Sequence, residues 1–520
     1  VRARAADSVG AYDKAVQGYA AAIALAPDNA ILAARALDEG LAAGDRPLAL
    51  AAARILERAG KLQADGRLLL LGETLRTRDW RAAGLQIDKL EQDEVFSFLA
   101  PLLRAWLQQG AGSGDPLAAL AALPANKLAA TYAAEQRALL LLARGKSKEG
   151  VAALMPVLAE AGPRAQRLRV AAAAALARNG DRTQALALLE GDAEPLVAAR
   201  QRLRGGKRLA GEIVTPVAGA AELLIRIAVD LNSQEVAGLA LGFARLATFL
   251  APENSESWLV TSELLAAAGQ HREALAALAR IPADDPFAST AASSRIAFLV
   301  AAGRQEEALA QARAEVAAEP RDGAGWARLG DLLSQMERHG DAAIAYGKAL
   351  DAAKVGGGAG QPQWALLLLQ GGSFVQAGRW TEGKAVLEGA YKLAPEQAVV
   401  LNYLGYSQLE RRENVVEAER LIREANRLQP DNAAITDSLG WAHFLRGDLV
   451  KAIELLERAA QGQPADAAIK EHLGDAYFKA GRRFEARYAW QAALVYAEGD
   501  AAGRLRAKVD AGLTPDLAAP

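Results

Sequence analysis

A small residue returns every 34 positions along most of this chain. Ala418, Ala452 and Ala486 are spaced by that interval, and so are Ala240, Ala274, Ala308 and Ala342. Near the start the same spacing joins Ala15, Ala49 and Ala83, and Ala118, Gly150 and Ala185 follow at about the same step. Gly383 continues the series after a step of 41, whose extra residues coincide with "KVGGGAGQPQ". Proline keeps the same count: Pro27, Pro252, Pro320, Pro395, Pro430 and Pro464 each lie twelve residues after a reference position. A sustained period of this length demands one small supersecondary unit per repeat, stacked so that neighbours bury each other's apolar faces. Proline interrupts helices, so the unit is a helix pair with a punctuated junction. The small residue marks the crossing, where a larger side chain would push the two helices apart.

The composition agrees with a helical array. Hydrophobic residues make up 52% and aromatics only 5%, so alanine, the strongest helix former, supplies much of the apolar content. Alternating runs rich in Val, Ile and Thr are missing. About fourteen units are expected, several of them degenerate. The fold class is all-α, a solenoid of stacked antiparallel helix pairs wound as a superhelix, with a concave face lined mainly by the first helix, A, of each pair. With 60 basic and 62 acidic residues, the net charge is −2, which argues against an electrostatic nucleic-acid binder. No apolar run approaches the ~18 residues of a membrane span. The absence of cysteine rules out disulfides, thiolate metal sites and cysteine nucleophiles in this chain.

The rhythm breaks twice. Between Ala185 and Ala240 the step is 55 residues, too long for one unit. The second break is the glycine-rich stretch after Lys354. The expected organisation is degenerate repeats over 1–190, an irregular linker at 191–216, central repeats over 217–355, a Gly-rich loop at 356–362, C-terminal repeats over 363–498 and a capping helix and tail at 499–520. The linker is expected to separate two cooperative arms, the upstream one unfolding first.

No catalytic constellation emerges. The four histidines, His271, His339, His443 and His472, include no i,i+4 pair and no H-E-x-x-H. No G-x-S-x-G elbow is present. "GGGAGQP" lacks the G-K-[ST] ending of a phosphate loop, and no strand precedes it. No enzyme activity, cofactor or metal is expected.

The motif residues carry a resemblance. Trp326, Leu329 and Gly330 in "WARLG", followed by Ala342, Tyr346 and Ala349 in "AAIAYGKAL", match the tetratricopeptide pattern and its period. The ordered set "NYLGY", "DSLGW" and "HLGDAY" in the last three full units is more specific. It resembles a group of alphaproteobacterial envelope tetratricopeptide proteins, as do "IPADDPF" and "YDKAVQGYAAAIALAPDN". The wider set includes the outer-membrane lipoprotein adaptor of a periplasmic carboxyl-terminal processing protease. That resemblance implies a non-catalytic scaffold in the periplasm, associated with the outer membrane, that presents a concave groove to proteins or extended peptides and delivers substrates to such a protease. The alternatives are a structural part of a secretion or polysaccharide-export assembly, and a cytoplasmic location. The A-x-A-like "RARAAD" behind Val1 is the expected trace of a removed signal peptide. Groove-facing candidates beside the glycine crossings are Asn402, Tyr403 and Tyr406; Asp437, Ser438 and Trp441; and Glu471, His472 and Asp475. The competing expectation is that Trp441 and Tyr406 pack against the next unit's helix.

Overall fold

The computed structural model describes residues 12–519, apart from 94, 122, 124–127 and 356–360. Most of the expected Gly-rich loop at 356–362 and the A-x-A-like start of the chain lie outside the described residues. Within them every regular element is helical: twenty-nine α-helices and three short 3-10 turns, with no strand. Thirteen helix pairs account for most of these, and the helices Tyr12–Leu25, Glu194–Arg204 and Gly499–Ala511 stand singly.

The repeat signal maps onto local structure. Thirteen of the fourteen reference positions are the fourth residue of their helix, twelve on the second helix, B, of a pair and Ala15 on the single helix Tyr12–Leu25, and all thirteen are buried. The reason is steric. A Cβ added to Gly440 on an A helix would lie 2.8 Å from Leu456 on its B helix. At Gly330 it would meet the Tyr346 ring at 2.6 Å, and at Gly474 the Trp490 ring at 2.4 Å. The proline junction is explained by the residue two positions after it. In "PDN", Asn29 and Asn432 cap the next A helix through Leu32 N and Ile435 N, and Asn254 in "PEN" caps through Glu256 N. Each satisfies an amide that the helix start leaves without a partner.

One reference position departs. Ala118 is exposed, on a helix of only six residues, Pro116–Ala121, whose inward residues are Pro116 and Leu120. The left-handed Gly112 and Gly114 just before it shorten that pair and shift its register.

The chain divides into two compact units, Val1–Gln311 and Ala312–Pro520. The segment 191–216, expected as a linker between arms, lies inside the first unit. Its first part is the helix Glu194–Arg204. Beyond it, Leu209 and Ile213 are buried and the Gly211 carbonyl accepts from Arg167 Nη2 at 2.7 Å. Arg202 pairs with Asp284 at 2.7 Å. The excess length fills a gap between helices instead of spanning one.

Unit 1 is tied together over long sequence distances. The helix Ala237–Leu250 packs on Ala64–Arg76 and Ala30–Ala43. Arg76 donates to the Phe249 carbonyl at 2.6 Å, and Arg245 to that of Ala42 at 3.2 Å. The backbone of Gly219 lies so close to the buried Trp106 ring that a Cβ would fall 2.0 Å from it. Behind this contact sits a buried charge network. Arg164 reaches Glu135 at 3.0 Å, Glu256 at 3.2 Å and Glu222. Arg226 adds a 3.1 Å pair to Glu135, and Asn254 donates to Glu222 at 3.2 Å. Unit 2 is organised differently. Its pairs from Gln363 to Leu494 follow one another in order, and its core breaks into small clusters shared by adjacent pairs.

Candidate functional site

The A helices Ala398–Glu410, Ala433–Leu445 and Ala467–Lys479 contact one another in succession within unit 2. Each carries its candidate residues around a glycine that faces the B helix. The positions three before and one after that glycine share one flank of the helix, beside the glycine, by helical spacing. Successive A helices thus bring candidates alongside one another, as His472 lies against Asp437 and Trp441. Most of them, however, are not open to a partner.

Asn402, Tyr403 and Tyr406 are half-buried, whereas Asp437, Ser438, Trp441, Glu471, His472 and Asp475 are all buried. The His472 ring stacks on Trp441 at 4.2 Å between centroids, and Trp441 stacks on Phe444 at 4.5 Å. The packing expectation for Trp441 thus describes the structure better than an open groove does. Nδ1 of His472 lies 2.9 Å from the Asp437 carboxylate. Burial alone would depress the His472 pKa, but the Asp437 charge, helped by Asp475 and Glu471, raises it above its ordinary value.

What closes this end of the face is the single helix Gly499–Ala511 and the segment after it. Lys508, fully buried, donates to Glu471 at 2.6 Å and to both oxygens of Asp475 at 2.8 Å. Arg504 grips Glu471 through two 2.8 Å bonds. Desolvation works to raise the Glu471 pKa, yet these two cations hold it below the ordinary carboxylate range. At Asp475 desolvation wins and the pKa is raised, despite Lys508. Asp475 also accepts from Trp490 Nε1 at 2.9 Å and from the backbone N–H of Ala519 at 2.9 Å. The Ala519 methyl is buried in one cluster with Leu409, Leu439, Trp441 and Ala442.

Arg504, Lys508, Trp490 and Ala519 were not among the sequence candidates. Part of the signal was present: Arg504 and Lys508 are four residues apart, the same spacing as Glu471 and Asp475. Two helices with complementary i,i+4 charges can pair along their faces.

Further along the same face the surface is more open. Tyr403 packs its hydroxyl toward Gly372 of the preceding A helix. Burial raises the pKa of Tyr406, as do the neighbouring Glu410, Asp437 and Glu471 carboxylates. The Asn402 Oδ1 is shielded from solvent without a hydrogen-bond partner. Among the described residues no group of three or more His, Cys, Asp or Glu side chains could hold a metal ion, and no helix is long and apolar enough to cross a membrane.

The period, the helix pairing and the Gly/Ala crossings define a protein built of tetratricopeptide-type repeats. No protein-family model matches the chain. A TPR repeat-containing protein of Pseudomonas aeruginosa is 44% identical over 55 residues, a match that spans 11% of this chain and 9% of that protein. Among solved structures, the MamA protein covers 37% of this chain and 96% of its own length at 22% identity and a TM-score of 0.27. YrrB, described as a TPR protein with an unusual peptide-binding site, covers 38% and 97% at 17% identity and a TM-score of 0.28. A tetratricopeptide repeat protein from Parabacteroides merdae covers 49% and 97% at 12% identity and a TM-score of 0.40.

Proposed function

We propose that the chain is a protein-interaction scaffold whose second unit receives an extended peptide along its A-helix face. One observation carries this: the acid and aromatic side chains of that face already hold the backbone that follows the extended Ala518, gripping Ala519 by its N–H and its methyl group. Aromatic rings give contact area at low entropic cost, and a buried carboxylate gives a directed acceptor for a main-chain amide. Asn402, Tyr403 and Tyr406 continue the same face beyond the occupied end.

The setting we propose is the bacterial cell envelope, with the chain acting as an adaptor that brings substrates to a periplasmic processing protease. The sequence resemblance of the C-terminal units supports it. The test is site-specific photo-crosslinking from position 402 or 403 in a bacterial envelope fraction. A processing protease or a cell-wall hydrolase should be captured from those positions and not from the exposed Val450 on a B helix. Capture of cytoplasmic proteins alone would overturn both the setting and the adaptor role.

A further inference from the structure

The segment after the Gly499–Ala511 helix is held at two places and is exposed between them. At its start, Gly512 is buried in a left-handed turn, where a Cβ would meet the Phe478 ring at 2.8 Å. Leu513 packs against the cluster formed by Ala486, Trp490, Ala493 and Leu505. Thr514, Pro515, Asp516 and Ala518 are exposed. Ala519 is buried again, with its N–H on Asp475 and its methyl among Leu409, Leu439, Trp441 and Ala442. Among the described residues the far attachment is a backbone hydrogen bond and a buried methyl group. Neither depends on a side chain that only this segment could supply.

We propose that residues 514–519 are an intramolecular competitor for the groove. The external ligand of this subsite is an extended peptide with a small residue, alanine-like in size, whose backbone N–H takes the place of Ala519 on Asp475. A main-chain donor and a methyl group are features any extended segment with a small residue can offer. The surroundings select against bulk, because the pocket wall is the stacked Phe444–Trp441–His472 series with Leu409 and Leu439. The short 3-10 turn Pro515–Leu517 bridges the span and is closed on itself, the Leu517 N–H donating to the Thr514 carbonyl at 3.0 Å, so the segment can leave while Gly512 and Leu513 stay. An attached competitor acts at a high effective concentration, so a free peptide binds weakly until the segment is displaced.

This inference rests on the peptide-binding reading of the A-helix face. It is tested with a fluorescent peptide of sequence LTPDLAA and two variants of the full chain. One variant ends at Leu513; the other carries Ala519→Arg, which cannot place its side chain in the methyl-sized pocket. Both should bind the peptide at least tenfold more tightly than the unaltered chain, with unchanged far-UV circular dichroism. Equal binding by all three would overturn the proposal. So would folded variants that fail to bind, since the segment would then be a structural cap. If the variants fail to bind while position 403 still crosslinks to an envelope partner, only the competitor falls. If they bind and no partner is captured, the adaptor role falls and the competitor stands.

Discussion

The two compact units use the same helix pair to opposite ends. In unit 2, pairs follow in order, cores are small and local, and the crossings join residues about sixteen apart, such as Gly474 and Trp490. In unit 1, the tightest crossing joins Gly219 to Trp106, and Leu250 lies against Gly72. One large core cluster there runs from Tyr19 to Leu264, beside smaller ones. A repeat array with only neighbour contacts has a stability close to the sum of its units and interfaces. Long-range closure removes that freedom, because losing one contact loosens segments far apart in sequence. Regular sequence therefore does not identify the more cohesive unit. The degenerate repeats are the ones knitted together.

The largest effect should come from the charge network of unit 1. Arg164→Ala leaves Glu135, Glu222 and Glu256 buried without their shared cation. Removing one partner of a buried ion pair costs about 3–5 kcal/mol. Hydrogen exchange should show protection lost from helices on both sides of 191–216, with Ala398–Leu494 unaffected. Loss confined to 128–178 would break the contrast between the units.

Next come the glycine crossings. Gly219→Ala drives a methyl into the Trp106 ring and Gly474→Ala drives one into Trp490. Overpacking costs about 1–3 kcal/mol, partly offset by the ~1 kcal/mol helix gain of alanine over glycine. The costs should be similar, but their reach should differ. In denaturation followed by exchange, the first should loosen both 100–111 and 216–250, and the second only the last pairs.

A smaller difference separates two reference alanines. Ala452→Leu should cost about 1–3 kcal/mol, since the site is fully buried, whereas Ala118→Leu should stay within about 0.5 kcal/mol. Equal urea midpoints for the two variants would mean that the register at 116–121 matches the other units.

The smallest expected effect is in pH dependence. Burial pushes Glu256 up to about 7 from an ordinary 4.5, against the pull of Arg164. Its folded form thus binds a proton more tightly than the unfolded chain, so its contribution to unit 1 falls as pH rises between those values. His472 is also raised, from 6.5, so its contribution to unit 2 is complete below 6.5 and is lost as pH climbs through the higher folded value. Glu256→Gln should flatten the acid-side slope for unit 1 alone, and His472→Gln the slope on the alkaline side for unit 2 alone. Thermal melts from pH 4.5 to 8.5 resolve both.

What was legible in the sequence is what acts locally. Gly330, Gly440 and Gly474 face partners sixteen residues on, so their spacing states the packing directly. The proline junctions were readable because Asn29 and Asn432 cap helices within three residues. Ala118 was placed by interpolation, and two left-handed glycines defeat it. The segment 191–216 looked like a linker because its partners, Arg167 and Asp284, are tens of residues away. Glu135, Glu222 and Arg164 look like solvated charges in sequence, since nothing local shows that they converge. The site was half legible. His472 meets Asp437 and Trp441 of the preceding unit within the face, but what covers Glu471, Asp475 and Trp441 comes in part from Lys508 and Ala519, beyond the last repeat.

The contacts of Arg76 with Phe249 and of Arg245 with Ala42 also bear on how such a chain can change length over generations. Between Gln363 and Glu410, loss or duplication of one 34-residue unit leaves each remaining pair a neighbour of the kind it already had. In unit 1 the same event would rotate one side of the closure away from the other, and Trp106 would no longer meet Gly219. The copy number of the first unit is a geometric constant, whereas that of the second is a variable. Length variation among descendants of this chain should therefore accumulate upstream of Asp437 in unit 2 and be absent between Ala30 and Leu250.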